Sequence, residues 1–173
     1  EALHSLIRQC EQVTVIYVFD PQWLRNNRYG HCHLGKHRHI FIDQGLIHFE
    51  KELSALHIPF HMISASPLDA VVACARNNNI DCVSYQNHHG FYEQLHIKKL
   101  HETLTDVNFI KGNSHYLLSP SHLPFDLNEM PDVFSPFRRK VEKNLVLREY
   151  VDVKITPFAQ QIKNFNTGDY AIY

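Results

Sequence analysis

The sequence predicts an α/β protein with a doubly wound, mostly parallel, five-stranded sheet. Short apolar runs and amphipathic segments with helical spacing alternate repeatedly from the start of the chain to Ile110. The run VTVIYVFD, Val13 to Asp20, is continuously apolar, which is typical of a strand buried on both faces of a parallel sheet. With 173 residues, of which 44% are hydrophobic and 20% charged, the chain has the size and composition of a globular protein with one core.

The chain opens on an amphipathic segment followed by the first apolar run. Leu3, Leu6, Ile7 and Cys10 have the i, i+3, i+4, i+7 spacing that predicts a helix. The strand that follows ends at Pro21, and a loop containing several asparagine and glycine residues comes next. Doubly wound domains normally begin with a central strand, so we expect the first strand of this domain to be missing from the sequence.

A long helix, two further strand–helix steps and a last strand complete the alternation. Residues 37–57 are predicted to be helical, because one apolar stripe steps along them by four, three, four and three residues. Ser66 and Pro67 have the N-cap and first-turn positions of the next helix. The remaining predicted elements are strands at 58–64, 81–86 and 107–110 and helices at 66–79 and 92–104.

From Lys111 the alternation ends. Four prolines exclude a long helix or a central strand across this stretch: Pro120, Pro124, Pro131 and Pro136. Ser135 is then predicted to cap a short helix that buries Phe137 and Val141. Its outward residues are Arg138, Arg139, Lys140 and Lys143. After Asn144 no periodicity is evident, and residues 149–173 are interpreted as a linker or tail.

Charge and cysteine content limit the classes of function. Lys and Arg number 17 against 18 Asp and Glu, a net charge of -1, so the overall charge gives no argument for nucleic-acid binding. No apolar run approaches the length of a membrane span. The four cysteines, Cys10, Cys32, Cys74 and Cys82, lack paired spacing, so we expect free thiols and a cytoplasmic location.

Three segments resemble the N-terminal domain of the DNA photolyase and cryptochrome family, in particular its cryptochrome DASH branch. VIYVFDPQWL is similar to the family's second strand with its F-D-P exit. GKHRHIFIDQGLIHFEKELSAL resembles the following helix with its G-x-H-R entry. HLPFDLNEMPDVFSPFRRKVE is the most specific, because its prolines, phenylalanines and arginines match the branch's pattern at set distances.

The resemblance implies a division of the chain and a function for the intact protein. Residues 1–125 would form the antenna-binding α/β domain, 126–148 a proline-punctuated exit loop and basic helix, and 149–173 an interdomain linker or tail. The all-helical domain that binds FAD would be absent. The intact protein would be a deoxyribodipyrimidine photo-lyase that repairs cyclobutane pyrimidine dimers in DNA under light, with its own C-terminal FAD domain as partner. The dimer would be flipped out of the base stack to reach the flavin.

Two other functions stay open from the sequence. A blue-light photoreceptor without repair activity would share this domain, since the residues that separate the two lie in the absent half. A stand-alone nucleotide-binding α/β module would share the wound sheet, because fold alone does not give function. Such a module normally carries a glycine-rich phosphate loop after a strand, and the sequence has no G-x-G-x-x-G or Walker pattern.

The resemblance also indicates a candidate antenna site in NHHGFYEQL, directly after the third predicted strand. Ligands of open α/β sheets bind at the carboxyl ends of strands. Glu93 aligns with a glutamate that accepts hydrogen bonds from the pterin of methenyltetrahydrofolate, and Tyr92 occupies the neighbouring antenna-contacting position. An ionised carboxylate has two acceptor oxygens that suit the adjacent N–H donors of a pterin edge. The alternative is that Glu93 is an acidic residue favoured by the helix dipole in a first turn.

Two further clusters have a plain and a functional interpretation. HCHLGKHRH, His31 to His39, could supply metal ligands, but no second Cys/His cluster at zinc spacing accompanies it, which favours a solvated loop. His88 and His89 flank the candidate antenna site and are open to the same question. The basic face of the short helix could contact phosphates, serve as the solvated side of an amphipathic helix, or dock the absent domain.

Overall fold

The computed structural model describes residues 2–112, 118, 122–144, 155, 157, 164–168 and 170–172. These residues form five α-helices and five strands. In chain order they are α1 (Ala2–Ile7), β1 (Val15–Phe19), α2 (Lys36–Ala55), β2 (Phe60–Ser64), α3 (Pro67–Asn77), β3 (Cys82–Gln86), α4 (Phe91–Thr103), β4 (Asn108–Gly112), α5 (Phe134–Asn144) and β5 (Ala171–Ile172). Two 3₁₀ turns lie at Pro21–Leu24 and Leu127–Glu129.

The strands pair in two separate sheets. β1 pairs with β2 in parallel, from Val15 opposite Phe60 to Phe19 opposite Ser64. β3 pairs with β4 in parallel over all five residues of each strand. β5 adds to the other edge of β2 in antiparallel direction, so the strand orders are β1–β2–β5 and β3–β4. The predicted α/β class with parallel strands is confirmed, but within the described residues the expected continuous sheet is divided between β1 and β3.

Helices link and cover the two sheets. The Ser84 hydroxyl on β3 donates a hydrogen bond to the Ala2 carbonyl oxygen at 2.9 Å, which fixes the start of α1 beside β3. The apolar residues of α1 also pack on the cluster formed by Val13, Leu53 and Ile58. On α3, Ala70 and Cys74 pack against Ile63 of β2, while Ala75 packs against Leu100 of α4. The core is thus built from helix stripes on strands, as the period of the apolar residues predicts.

The exit segment contains short turns and one helix. Over residues 123–133 the described backbone forms one 3₁₀ turn and neither an α-helix nor a strand. α5 begins at Phe134 rather than after Ser135, since the Phe137 N–H already bonds to the Val133 carbonyl at 3.2 Å; the predicted Ser135 cap is wrong. Val141 is buried as predicted, whereas Phe137, which was also predicted to be buried, is half-buried and meets the Phe125 ring edge-on at 5.9 Å.

The described end of the chain returns to the α/β body. The Asn78 side-chain amide donates to the Asn166 carbonyl at 2.8 Å, and the Asn166 N–H donates to the Asn78 side-chain oxygen at 2.8 Å. The Phe165 ring stacks on His61 of β2 at 4.8 Å between centroids. Residues 164–172, predicted as part of a linker or tail, therefore contact α3 and extend the sheet at β2 where they are described. The domain boundaries themselves stay a prediction.

Across the part of the chain that the structure describes, no helix combines the length and the apolar character needed to cross a bilayer.

The four cysteines are free thiols in different environments, and we expect their alkylation rates to differ. Burial raises the pKa of the Cys74 thiol. Burial is also the main cause of the raised pKa of the Cys82 thiol, and the neighbouring Cys10 is the second cause. Cys32 is exposed. Because the thiolate is the nucleophile, iodoacetamide at neutral pH should modify Cys32 about tenfold or more faster than Cys74 and Cys82. Peptide mass spectrometry over time measures the rates, and Cys32→Ser should remove the fast phase. Equal rates at Cys32 and Cys74 would contradict the burial described here.

Candidate antenna site at the end of β3

The candidate site lies where β3 ends and α4 begins. The Asn87 N–H donates to the Gly112 carbonyl at 2.8 Å, which continues the pairing with β4 by one residue. The buried Asn87 side-chain oxygen accepts from the Gln94 amide at 3.2 Å, and Gln94 also donates to the His88 carbonyl. These bonds hold the loop 87–90 against the first turn of α4, so the side chains of the loop are held in fixed positions.

Gly90 is the N-cap of α4, and its missing side chain shapes the site. A Cβ built on Gly90 would lie 2.0 Å from the Glu93 Oε2 atom and 3.0 Å from His88 Nδ1. The Glu93 carboxylate is therefore folded back onto the N-terminus of its own helix, where the helix dipole favours negative charge. This position fits both interpretations of Glu93, as a residue that binds a pterin and as an acidic residue that the helix dipole favours in a first turn.

His88 lies beside Glu93 and orients the turn. Its Nδ1 atom accepts a hydrogen bond from the Gly90 N–H at 3.0 Å and lies 3.9 Å from Glu93 Oε2. An Nδ1 atom that accepts carries no proton, so in the neutral ring the hydrogen is on Nε2. The Glu93 and His88 side chains are each 52% exposed, so both can reach a ligand from solvent.

Two aromatic rings extend from the first turn of α4 into solvent. Phe91 is 75% and Tyr92 is 72% exposed. Their rings contact each other edge-to-face, with centroids 5.5 Å apart and planes at 78°. Rings exposed to this extent lose the burial that normally stabilises them, and an exposed apolar surface beside polar groups is typical of a binding site. Glu93 and Tyr92, the two predicted site residues, are thus brought together with Phe91 and His88.

Phe91 and Gly90 were not among the predicted site residues. A glycine directly before a helical segment is a signal for an N-cap, and it could have indicated that the next two rings begin a helix. The exposure of Phe91 could not be read from the sequence, because a phenylalanine in a first turn is as easily buried as exposed.

A cavity of about 530 Å³ adjoins the site and runs between β1 and β3. His88, Glu93 and His96 line it on the side of α4, and the rest of its lining is mainly apolar.

The other two sequence clusters lie apart from this site. His31 and His33 are exposed in the loop before α2, whereas His39 stacks on Phe19 at 5.3 Å and lies 3.6 Å from the Asp43 carboxylate. The described residues hold no group of three or more His, Cys, Asp or Glu side chains arranged to bind a metal. On α5, Arg138 pairs with Glu142 at 3.6 Å, and the Lys140 ammonium lies 5.4 Å from the centre of the Phe125 ring.

The fold is that of cryptochromes and photolyases. The crystal structure of a cryptochrome from Synechocystis sp. PCC6803 matches 90% of this chain with a TM-score of 0.74 at 20% identity. The archaeal photolyase of Sulfolobus tokodaii, solved with two FAD molecules, matches 93% of the chain with a TM-score of 0.65 at 16% identity. At these identities the two matches establish the fold.

Sequence comparison establishes the family. The sequence model of DNA photolyase matches residues 1–159, and the chain belongs to the DNA photolyase family. Its sequence is 27% identical to cryptochrome DASH of Idiomarina loihiensis over 141 residues, which are 82% of this chain and 31% of the relative. The predicted family and the similarity to its DASH branch are confirmed. The chain spans about a third of the length of this relative and of the two solved proteins.

Proposed function

We propose that the chain is the antenna domain of a light-driven protein that repairs cyclobutane pyrimidine dimers in DNA, and that the turn before α4 holds the pterin of methenyltetrahydrofolate. The observation that carries this proposal is the exposed Glu93 carboxylate beside two exposed aromatic rings at the carboxyl end of β3. Family membership supports the light-dependent activity.

The residues present suit a pterin. The ligand's flat heterocycle offers adjacent N–H donors, and the Glu93 carboxylate accepts two hydrogen bonds without donating any. The ring faces of Tyr92 and Phe91 provide apolar surface for a planar group. When bound, the folate would supply near-UV absorption. The chain's own part is to hold and orient the chromophore, while FAD and the dimer-binding surface are assigned to the all-helical domain of the intact protein.

Replacing Glu93 with glutamine tests the folate site. Glu93→Gln keeps the size of the side chain but replaces one acceptor oxygen with an N–H₂ donor, so the affinity for methenyltetrahydrofolate should fall by about 10- to 100-fold. The control is Glu102→Gln, which changes an exposed glutamate on the same helix that pairs with Lys98 at 3.9 Å. Binding is followed by the change in near-UV absorbance and fluorescence of the folate. Equal affinities of the two variants, or no binding by the unmodified chain, would contradict the folate site.

The chain alone is expected to leave pyrimidine dimers unrepaired. It covers about a third of the length of its relatives, and the proposed flavin site lies outside it. A single-stranded oligonucleotide with one thymine dimer, irradiated with near-UV light in the presence of the chain, should show no restored thymines by chromatography. Restored thymines would overturn the assignment of the repair chemistry to the all-helical domain. A longer form that carries that domain, binds FAD and still fails to repair would favour a photoreceptor instead.

A further inference from the structure

We propose that Cys10 and Cys82 are a reversible dithiol–disulfide pair, which a small disulfide such as oxidised glutathione oxidises in the folded chain. The bond joins the turn after α1 to the first residue of β3. This inference rests on the placement of the two side chains, and it does not depend on the proposed folate site.

The path of α1 brings the two cysteines together. The Ser84 hydroxyl donates to the Ala2 carbonyl oxygen at 2.9 Å, and a Cβ on Gly112 would lie 2.7 Å from the Ala2 Cβ atom. These contacts fix the start of α1 beside the later residues of β3 and the end of β4. From there the chain runs back to the start of β3, where Cys10 and Cys82 line one cavity of about 400 Å³.

Secondary structure holds each cysteine in place. The Cys10 N–H donates to the Leu6 carbonyl at 3.0 Å, so this residue closes the turn that ends α1. Cys82 lies opposite Asn108 in the parallel pair of β3 and β4. The two side chains are in hydrogen-bonding contact with each other. Because a disulfide needs its two sulfurs side by side, a pair held by a helix end and a strand is already close to the required arrangement.

The environments of the two thiols set the order of the reaction. Burial, followed by the neighbouring Cys10, raises the pKa of the Cys82 thiol. Since the thiolate is the nucleophile, Cys82 is the slower of the two to attack a reagent from solvent, and Cys10 reacts first. Both residues are half-buried, so the reagent can reach the pair from outside.

The exchange proceeds in two steps. The Cys10 thiolate attacks one sulfur of oxidised glutathione, which forms a mixed disulfide and releases one glutathione thiolate. The Cys82 thiol then loses its proton to solvent, and its sulfur attacks the Cys10 sulfur and releases the second glutathione thiolate. Two protein thiols are thereby oxidised, and one glutathione disulfide is reduced to two thiols. The second step is intramolecular, so the closeness of the two sulfurs offsets the small thiolate fraction of Cys82.

The other two cysteines are less suited to this chemistry. Cys32 is exposed in the loop before α2, and neither it nor Cys74 lines the cavity of about 400 Å³. Cys74 lines the larger cavity together with Cys10 and Cys82, but it is buried against Ile63 and Ala70. A link from Cys10 to Cys74 is therefore the main competing product.

Oxidation should fix α1 at both of its ends. This helix has six residues, and its Leu3 and Leu6 side chains line the cavity beside the candidate antenna site. In the oxidised chain the N–H groups of Leu6 and Ile7 should exchange with solvent about tenfold more slowly than in the reduced chain. A disulfide that closes a loop of about 70 residues should also raise the Tm by about 5 °C or more. Unchanged exchange and Tm in the linked chain would contradict the placement of α1.

The direct test is incubation of the reduced chain with oxidised glutathione, followed by peptide mass spectrometry without reduction. The Cys10–Cys82 link, which lacks two hydrogen atoms, should form about tenfold or more faster than links to Cys32 or Cys74. Dithiothreitol should restore both thiols, and concentrated urea should abolish the preference. Glutathione on Cys32 with Cys10 and Cys82 left unlinked would overturn the proposal, and so would an equally fast link to Cys74 or a preference that survives in urea.

Matched variants separate the two roles. Cys82→Ser removes the second sulfur, so the glutathione adduct of Cys10 should accumulate instead of being resolved. Cys10→Ser should give at least about tenfold less adduct on Cys82, and Cys32→Ser should leave the rate of the Cys10–Cys82 link unchanged. Circular dichroism checks the fold, and Cys82→Ala replaces Cys82→Ser if the hydroxyl prevents folding. A folded variant at Cys82 in which Cys10 stays unmodified would show that Cys10 is not the attacking thiol and sink the proposal.

Discussion

Replacing Leu53 with alanine should lower the free energy of unfolding by about 3 kcal/mol. Leu53 is 1% exposed and is one of the two largest fully buried side chains among the described residues. It packs on Val13 and Ile58, and the apolar residues of α1 and the start of β1 surround this cluster. The substitution removes buried methyl groups and leaves a cavity that the surrounding helices and strands can fill only in part. Urea denaturation followed by circular dichroism measures the change.

The matched control lies on the same helix. Ile47 is 51% exposed, and Ile47→Ala should change the free energy of unfolding by no more than about 0.5 kcal/mol. If Leu53→Ala leaves too little folded protein for a titration, Leu53→Met keeps most of the volume and should cost less than about 1.5 kcal/mol. Equal effects of Leu53→Ala and Ile47→Ala would show that α2 does not pack as described.

Substituting alanine at two glycines should change stability in opposite directions. A Cβ on Gly112, at the end of β4, would lie 2.7 Å from the Ala2 Cβ atom and 2.9 Å from its backbone nitrogen. The backbone of α1 would have to move, so Gly112→Ala should destabilise the fold by about 1–3 kcal/mol. A Cβ on Gly45, in the middle of α2, meets nothing within 4 Å. Gly45→Ala should stabilise by about 0.5–1 kcal/mol, because alanine restricts the unfolded chain and favours helix.

Thermal and urea unfolding of both glycine variants measures whether each substitution lowers or raises the free energy of unfolding. A neutral or stabilising Gly112→Ala would mean that α1 does not lie against the end of β4. Since the same contact brings Ala2 to the Ser84 hydroxyl, that outcome would also question the lining of the cavity between β1 and β3.

The order and type of the elements from α1 to β4, and of α5, could be predicted because they depend on local period. The stripe from Ile42 to Leu56 requires a helix, and the continuous apolar run of β1 requires a strand. The predicted burial of this strand on both faces is seen only at Phe19, since its other four residues are half-buried. Helix ends were less predictable, since Ser135 has a good cap sequence and yet lies inside α5. The choice between cap and helix interior depends on contacts beyond the local sequence, such as the packing of Phe137 on Phe125.

The candidate site could be predicted in part. Its place after β3 follows from the general position of ligands on α/β sheets, and Glu93 was indicated by family resemblance. The Glu93 carboxylate folds over Gly90 because of the shape of the turn 87–90. A hydrogen bond between the side chains of Asn87 and Gln94 fixes this turn, and the sequence does not show it. The contact between Asn166 and Asn78 was not predicted, because residues 164–172 show no hydrophobic periodicity. A pair of hydrogen bonds between an asparagine side chain and a distant backbone has no signal in the sequence.

The reciprocal amide bonds between Asn78 and Asn166 have a kinetic consequence. They join residues 88 positions apart, and loop closure costs about 0.6 kcal/mol more for each doubling of the loop. Contacts of such sequence separation form slowly, so the C-terminal return should dock after the parallel pairs have folded. It should also be the first part to detach, leaving the outer edge of β2 open to other chains during each brief opening.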